Sequence, residues 1–368
     1  MIVIRNDTLF YQRDGKEVAY VSEFIKEKAD LIARSEHFHG WKTQEDDGDA
    51  KSMIPRGMLW GGRKMSSDLP TIITAQADEA GFYFIMKMTR ACGLFHYNVR
   101  KDEEVRFFHR ENFFPVGAHI AQERLVAALG EADGSRHLVS FDINGRDATV
   151  LTSGDTRDEH PCIADGVIYY DSTGIGRDQQ GNVAGFGPKA ICSVTLTGES
   201  QQVIREAKAF DYIMPKRDRD GKLYALRMPY EQEVYRFSVF LKDVLLFPYN
   251  LAMAVMGFLN AFSVMFARRP IITSGGPKLA TQDLRKRIIN SRLVDIREAT
   301  RQAGQRVAAP SSWKLVRLDG DKDVELAAHV IGYAFADDGT ILVNKGYSVT
   351  KAAGERVLES ADLITELA

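Results

Sequence analysis

The sequence predicts a mainly β chain made of repeated units of short strands, with one helical insertion. Two observations lead to this fold class. Short segments of alternating apolar and polar residues, separated by glycine-containing turns, recur along most of the 368 residues. One uncharged run of 24 residues, 244–267, interrupts that pattern and is followed by a basic segment.

The repeat is clearest where an acidic residue and a glycine form the turn. The segments EHPCIADGVIYYDS (159–172), MPKRDRDGKLYALRM (214–228) and GYAFADDGTILVNKG (332–346) align at this turn. Asp-Gly suits a tight hairpin because glycine adopts a positive φ without steric cost. Weaker copies lie at 78–88 and 121–129, and a sixth at 5–13.

The spacing of the turns indicates the architecture. Successive turns near Asp7, Gly81, Glu123, Gly166, Gly221 and Gly339 are separated by 74, 42, 43, 55 and 118 residues. A unit of about forty residues is typical of a four-stranded β-propeller blade. The two long intervals then predict insertions at 24–66 and 231–310.

The sequence therefore predicts a six-bladed β-propeller over 1–230 and 311–368, with an α-helical insertion in blade 5. Blade 1 is the most degenerate of the six. The alternative is two packed β-domains with a helical insert. The predicted blades lie at 1–69, 70–112, 113–153, 154–205, 206–328 and 329–368.

The later strands of the unit carry a family resemblance. Residues 136–154 (RHLVSFDINGRDATVLTSG) and 189–204 (KAICSVTLTGESQQVI) supply them, and His160-Pro161 precedes the inner strand of its copy. These features resemble the repeats of TolB-like six-bladed propellers, also found in prolyl-oligopeptidase-type enzymes. Two other copies have Phe114-Pro115 and Met214-Pro215 at this position. The last copy has no proline near His329. The resemblance implies the fold and no activity.

Composition points to a protein of the cytoplasm. Arg5 and Asp7 occupy the place of the apolar region of a secretion signal. The three cysteines, at 92, 162 and 192, form no metal-ligand or redox spacing. Net charge is −2, but residues 268–306 hold ten basic and three acidic residues, so the rest of the chain carries −9.

The apolar run is long enough for one bilayer crossing, yet its position argues against one. Residues 223–230 and 311–320 are predicted strands of the same blade, so both flanks lie on the same side of any membrane. Two helical crossings need about 40 residues. Three interpretations remain: an element in the membrane interface, a docking element for a protein, and a helix buried against its own propeller.

The docking interpretations rest on aromatic and basic side chains within 244–306. Pro248 breaks the helix, so that apolar side chains reach the acyl boundary while the basic residues contact anionic headgroups. The predicted docking residues are Phe247, Phe258, Phe262, Met265, Phe266, Arg268, Arg269, Arg285, Lys286 and Arg287. A small or polar stripe at Gly257, Asn260 and Ala261 suits an integral membrane protein or a second copy instead.

The basic segment is predicted to form an amphipathic helix. Thr281 is a candidate N-cap, and Leu284, Ile288, Leu293 and Ile296 follow at helical spacing. Nucleic acid is an unlikely partner, since the segment has no aromatic residue for stacking and the remaining chain is acidic.

Two polar clusters are candidate sites. Asp155, Asp158, Glu159 and His160 precede or begin an inner strand, where propellers place residues beside the central channel. His37 and His39 alternate in an acidic stretch, which fits either a polar loop or a metal site. No phosphate-binding motif and no G-x-S-x-G occur, so we predict no cofactor and no attached hydrolase domain.

These observations favour an adaptor or scaffold over an enzyme. We expect a cytoplasmic propeller, peripheral at the membrane, that docks through its arm on the inner face or on a membrane-bound protein assembly. One alternative is a hydrolase or lyase acting at the channel, which requires His160 and Asp155 to converge with residues from other blades. The other is a homo-oligomer assembled through the arms.

Overall fold

A computed structural model describes residues 1–13, 16–27, 30, 70–88, 91–231 and 286–368. The chain divides into a larger unit, Met1–Tyr230 with Glu298–Ala368, and a smaller one, Glu231–Arg297. The apolar run 244–267, its predicted docking residues up to Arg285, and His37 and His39 lie outside the described residues.

The larger unit consists of successive groups of antiparallel strands, which we number as sheets 1 to 6 along the chain. One parallel bridge, between Arg136 and Arg157, joins sheets 3 and 4 into a continuous nine-stranded sheet. Sheet 1 combines both ends of the chain: β1 (Ile2–Arg5), β2 (Thr8–Arg13), β3 (Lys16–Tyr20) and β27 (Ile364–Leu367). Sheet 2 contains β4 (Thr71–Ala77), β5 (Gly81–Lys87), β6 (Ala91–Asn98) and β7 (Glu103–Glu111). Sheet 3 contains β8 (Pro115–Ala121), β9 (Arg124–Gly130), β10 (Arg136–Asp142) and β11 (Thr149–Val150).

Sheets 4 to 6 repeat the same meander. Sheet 4 contains β12 (Thr156–Ala164), β13 (Val167–Arg177), β15 (Ala190–Thr195) and β16 (Gln202–Arg205), and β14 (Val183–Phe186) pairs with the long end of β13. Sheet 5 contains β17 (Phe210–Arg217), β18 (Leu223–Pro229), β21 (Lys314–Asp319) and β22 (Lys322–Ala328). Sheet 6 contains β23 (Gly332–Phe335), β24 (Ile341–Asn344), β25 (Ser348–Lys351) and β26 (Arg356–Glu359).

The sheets bury both of their faces, and strand alternation divides the side chains between two core layers. In β9, the residues from Leu125 to Ala128 are all fully buried. Leu125 and Ala127 pack with residues of sheet 2, such as Leu94. Val126 packs with residues of sheet 4, such as Tyr170. A strand buried on both faces explains the continuous apolar run LVAAL, 125–129.

Hydrogen bonds link each sheet to the next and the last sheet back to the first. Each link involves a residue of a first or second strand. The links are Thr74 to Glu366 (2.6 Å), Gln76 to the Ile120 carbonyl (2.6 Å), Ile163 N to His119 (3.3 Å), Met214 N to Asp171 (3.1 Å), Lys216 to the Tyr333 carbonyl (2.8 Å) and Asn344 to the Ile364 carbonyl (3.0 Å).

The C-terminal strand lies in sheet 1, although the sequence predicts 329–368 as one blade. β27 pairs antiparallel with β1, with Val3 opposite Leu367 and Ile4 opposite Glu366. Short strands of this kind look alike in sequence, so the neighbour of the last one cannot be read from its residues.

Connections differ between the two ends of the sheets. At one end, the turn end, the connections are two to six residues long. At the other end, the insertion end, every first strand begins and three connections are long: 21–70, 178–189 and 230–313. All three long connections therefore attach at the same end of the larger unit.

The predicted amphipathic helix is wrong over 286–295, which form a hairpin of β19 (Lys286–Ile289) and β20 (Arg292–Asp295). Asn290 and Ser291 both have positive φ, at 48° and 63°, as a type I′ turn requires. The spacing that fits a helix also places apolar residues on both faces of a hairpin. A helix follows only at α1 (Ile296–Ala303), and no helix in the described ranges has the length and hydropathy to cross a bilayer.

We expect Ile364→Ala to lower the free energy of unfolding by about 2–5 kcal/mol, because the side chain is fully buried between the last and first sheets. Ile288→Ala is the matched control. Its side chain is 76% exposed, so we expect a change within about 0.5 kcal/mol. Denaturant unfolding of both variants measures the difference. Equal losses of unfolding free energy would contradict the stabilising role of the contact between the two ends of the chain.

Candidate functional site

The start of β12 places successive side chains on opposite faces of sheet 4 and then breaks the alternation. Asp158 faces Ser172 across the strand pair and Glu159 faces Asp171. His160 has a φ of 47°, and the register shifts between Glu159 and Cys162. This bulge turns the imidazole of His160 towards the same side as Glu159.

Four side chains meet there, and we call Glu159, His160, Asp171 and Lys189 the ionic cluster. His160 Nδ1 lies 2.7 Å from Asp171 Oδ1, and Lys189 Nζ lies 3.2 Å from Asp171 Oδ2. Lys189 Nζ also lies 2.6 Å from Glu159 Oε2, and Arg136 donates to Glu159 Oε1. The backbone N–H of Met214 in sheet 5 donates to Asp171 at 3.1 Å.

The ionic cluster keeps Asp171 charged although the carboxylate is fully buried. Burial by itself would raise the pKa of Asp171. The charges of His160 and Lys189 and the hydrogen bonds from His160 and Met214 outweigh burial, so the pKa lies below the ordinary value. The cluster thus holds an ionised carboxylate on one face of sheet 4.

The structure separates the four polar residues predicted from the sequence. Glu159 and His160 belong to the ionic cluster. Asp158 points to the other face and accepts hydrogen bonds from Ser172 (2.6 Å) and Thr156 (3.2 Å). Asp155 lies before the strand, is exposed, and pairs with Arg177 Nε at 2.5 Å.

The cluster contains a ligand set that suits a cation. Ligand atoms of Glu159, His160 and Asp171 lie within 4.8 Å of one another. However, the ammonium of Lys189 contacts both carboxylates, so it occupies the position between them and neutralises them. The arrangement fits an internal lysine better than a metal ion.

Three titratable residues of other first strands were missed in the sequence: His119, Lys216 and Glu366. Burial lowers the pKa of His119 to about 4 and lowers that of Lys216, whereas it raises the pKa of Glu366. Lys216 follows Met214-Pro215, the dipeptide that corresponds to His160-Pro161. That alignment is the signal that could have identified Lys216.

The described residues hold no activated nucleophile beside His160. No serine, threonine or cysteine within the described ranges hydrogen bonds to its ring. Burial raises the pKa of Cys92 and Cys192 to about 11 and also raises that of Cys162. Thiols of this kind stay protonated near neutral pH and are poor nucleophiles.

Comparison with known proteins gives solved structures only. No protein-family model and no curated protein matches the sequence. TolB from Acinetobacter baumannii is 10% identical, with a TM-score of 0.45, over 99% of this chain and 64% of that one. Puromycin hydrolase is 11% identical, with a TM-score of 0.41, over 78% of this chain and 38% of that one. The tricorn protease is 11% identical, with a TM-score of 0.41, over 76% of this chain and 25% of that one.

This chain spans less than two thirds of the length of each of these three structures. TolB, whose repeats the sequence resembles, is thus among the similar structures.

We expect Lys189→Met to lower the free energy of unfolding by about 3 kcal/mol, because it leaves two buried carboxylates without their shared cation. Lys222→Met is the control, since Lys222 pairs with Asp220 in an exposed position and surface pairs contribute about 1 kcal/mol or less. Chemical denaturation at neutral pH distinguishes the two. Similar losses would mean that the ionic cluster has no special role in stability.

We expect acid to destabilise the protein through His119. Burial and the charge of Lys216 lower the pKa of this ring to about 4, compared with about 6.5 in an unfolded chain. The stabilisation is complete above pH of about 6.5 and is lost as the pH falls from there towards 4, up to about 3 kcal/mol.

Unfolding measured across this pH range in the wild type, His119→Gln and His109→Gln tests the assignment. The ring of His109 is exposed, so His109→Gln should keep the pH dependence and His119→Gln should reduce it. An unchanged profile in His119→Gln would refute the role of this ring.

Proposed function

We propose that this protein is a non-enzymatic adaptor: a six-bladed propeller that docks through its 231–310 insertion on a membrane inner face or on a membrane-bound protein assembly. In this proposal it is cytoplasmic and peripheral at the membrane. The observation that carries the proposal is the position of the long connections, all of which attach at the insertion end.

The six-bladed arrangement is supported by the sheets and by the contacts between them. Six groups of antiparallel strands follow one another in the larger unit, and a parallel bridge joins the third to the fourth. The hydrogen bonds that link them return from sheet 6 to sheet 1 through Asn344 and Ile364. A closed ring of this kind buries both faces of every sheet and presents rigid ends to a partner.

The concentration of long connections at one end favours a binding role. Turns of two to six residues cover the turn end, so the backbone offers little surface for recognition there. Binding residues are commonly found in loops held by a rigid scaffold. The insertion end is therefore the face that we assign to partners.

The small unit contributes a feature that suits docking. Ile288 and Leu293 lie directly opposite each other on the hairpin and are 76% and 66% exposed. Arg287 belongs to the same hairpin and supplies positive charge. Exposed aliphatic side chains next to basic residues are suited to an anionic lipid surface.

The alternative of a hydrolase or lyase has less support from the described residues. It requires Asp155 to converge with His160, but Asp155 pairs with Arg177 instead. The carboxylates nearest to His160, in Asp171 and Glu159, are held by Lys189. A paired set of charges stabilises the sheet and is not poised for proton transfer.

Vesicle flotation tests the docking function. We expect the full-length protein to float with anionic vesicles at low salt, to float less at high salt, and to remain behind with neutral vesicles. Replacement of residues 232–297 by a Gly/Ser linker should abolish flotation. Thermal melting of this variant verifies that the larger unit is still folded.

Point variants refine the result. Replacing both Ile288 and Leu293 by serine should reduce flotation several-fold, whereas Val203→Ser, at another exposed aliphatic residue, should leave it unchanged. If the protein never floats but self-associates through 232–297, the homo-oligomer alternative replaces membrane docking. A monomer that neither floats nor self-associates contradicts the proposal.

A further inference from the structure

Arg157 in β12 has a guanidinium group that is held in place but pairs with no carboxylate among the described residues. Its Nε donates to the Gly134 carbonyl at 2.8 Å, and the group lies 4.1 Å from the centroid of the Phe186 ring. Within the described ranges, no carboxylate lies at ion-pair distance from it. The stacked group is oriented in advance, and its terminal N–H donors stay available.

Two more cations lie on the same face of sheet 4. Arg136 is the partner of Arg157 in the parallel bridge between β10 and β12. Arg136 and Lys189 contact the two carboxylate oxygens of Glu159, two residues after Arg157. Burial and the positive charge of Arg157 lower the pKa of Arg136, as expected for cations crowded together.

The other two cations of this face are already paired within the protein. Arg136 contacts Glu159, and Lys189 contacts both Glu159 and Asp171, whereas Arg157 pairs with no carboxylate of the described residues. The two carboxylates are buried, at 3% and 0% exposed, while the three cations keep accessible surface. The planar fork of an unpaired guanidinium fits a carboxylate through two parallel N–H···O bonds.

Arg177 shows the contrast. It also lies at the insertion end, but it is paired with Asp133 at 2.8 Å and with Asp155 at 2.5 Å. Its charge is therefore satisfied within the protein. Arg157 differs in that an external anion would complete its hydrogen bonding.

The surroundings of Arg157 suit an extended peptide. Strand β14, which carries Phe186, is exposed throughout and pairs with β13 alone among the described strands. The Phe186 and Val183 side chains are exposed beside it. The Phe186 carbonyl accepts from the Tyr230 hydroxyl at 2.6 Å. The rest of the exposed strand edge offers main-chain hydrogen bonds to an extended segment, whereas a small molecule needs a concave pocket.

We propose that Arg157, with Arg136 and Lys189, binds a side-chain carboxylate of an extended acidic peptide along β14. This peptide belongs to a partner protein and occupies the insertion end of sheet 4. The residues of this site lie outside 231–310, so the inference goes beyond the adaptor function proposed above, and either one can fail without the other.

Fluorescence anisotropy with labelled hexaglutamate and the full-length protein tests this site. We expect binding at low ionic strength, and we expect Arg157→Gln to weaken it about tenfold, which corresponds to one charge-assisted hydrogen bond. Arg157→Lys should weaken it less, because the charge remains and the planar fork is lost. Labelled hexalysine should not bind at this site.

Arg217→Gln is the matched control. Arg217 Nε also donates to a carbonyl, that of Gly221 at 2.9 Å, and its guanidinium lies 5.9 Å from the Tyr169 ring, but it pairs with Asp165 at 2.7 Å. It lies at the turn end, so its loss should not affect binding. Equal weakening by Arg217→Gln, or none by Arg157→Gln, overturns the proposal.

Two further measurements remove ambiguity. Thermal melting shows whether each variant is folded, and the Arg157→Lys variant keeps the test valid if Arg157→Gln is unstable. Competition distinguishes the ligand class: unlabelled hexaglutamate should displace the probe at far lower concentration than acetate or inorganic phosphate. Displacement by phosphate at the same concentration as hexaglutamate would overturn the assignment to a peptide.

Discussion

The pairing of β27 with β1 is the contact on which the rest of the larger unit depends. Each sheet is apolar on both faces and therefore needs a neighbour on each side. Without β27, sheet 1 would lose the strand that carries Ile364 and Leu367, and the core layer that they share with Val349 of sheet 6 would open to water. The two backbone hydrogen bonds between Ile2 and Ala368, at 2.8 and 3.0 Å, hold this layer closed.

The charged groups follow from the same burial. Residues on the first strands are surrounded by neighbouring sheets, so an ionised side chain there needs a partner. Lys189 is the cationic partner of Glu159 and Asp171. His119 needs no partner because its ring stays neutral at physiological pH. Arg157 stays charged without an acidic partner among the described residues, because it lies at the insertion end, where water or a partner protein can reach it.

Much of the repeat was predictable from the sequence because Asp-Gly turns and alternating strands are local signals. Glu159 and His160 were identified because they precede a proline at a repeated position. Asp171 and Lys189 were missed because they lie in β13 and just before β15, and only the register of sheet 4 brings them to Glu159 and His160. The hairpin at 286–295 was mistaken for a helix because the spacing of Ile288 and Leu293, continued by Ile296 of the following helix, is compatible with a helical period as well as with strand alternation.

The membership of β27 in sheet 1 also has a kinetic consequence. Thr365 bonds to Ile4 across 361 residues of chain, and sheet 5 joins β18 to β21 across the long connection 230–313. Contacts so distant in sequence slow folding, because chain entropy is lost before they form. On the ribosome, β1 has to wait for the last strand to emerge, with an unpaired edge exposed to neighbouring nascent chains. Completion of the fold is thus a late event in synthesis, and chaperone protection of the N-terminal strands would matter most during that interval.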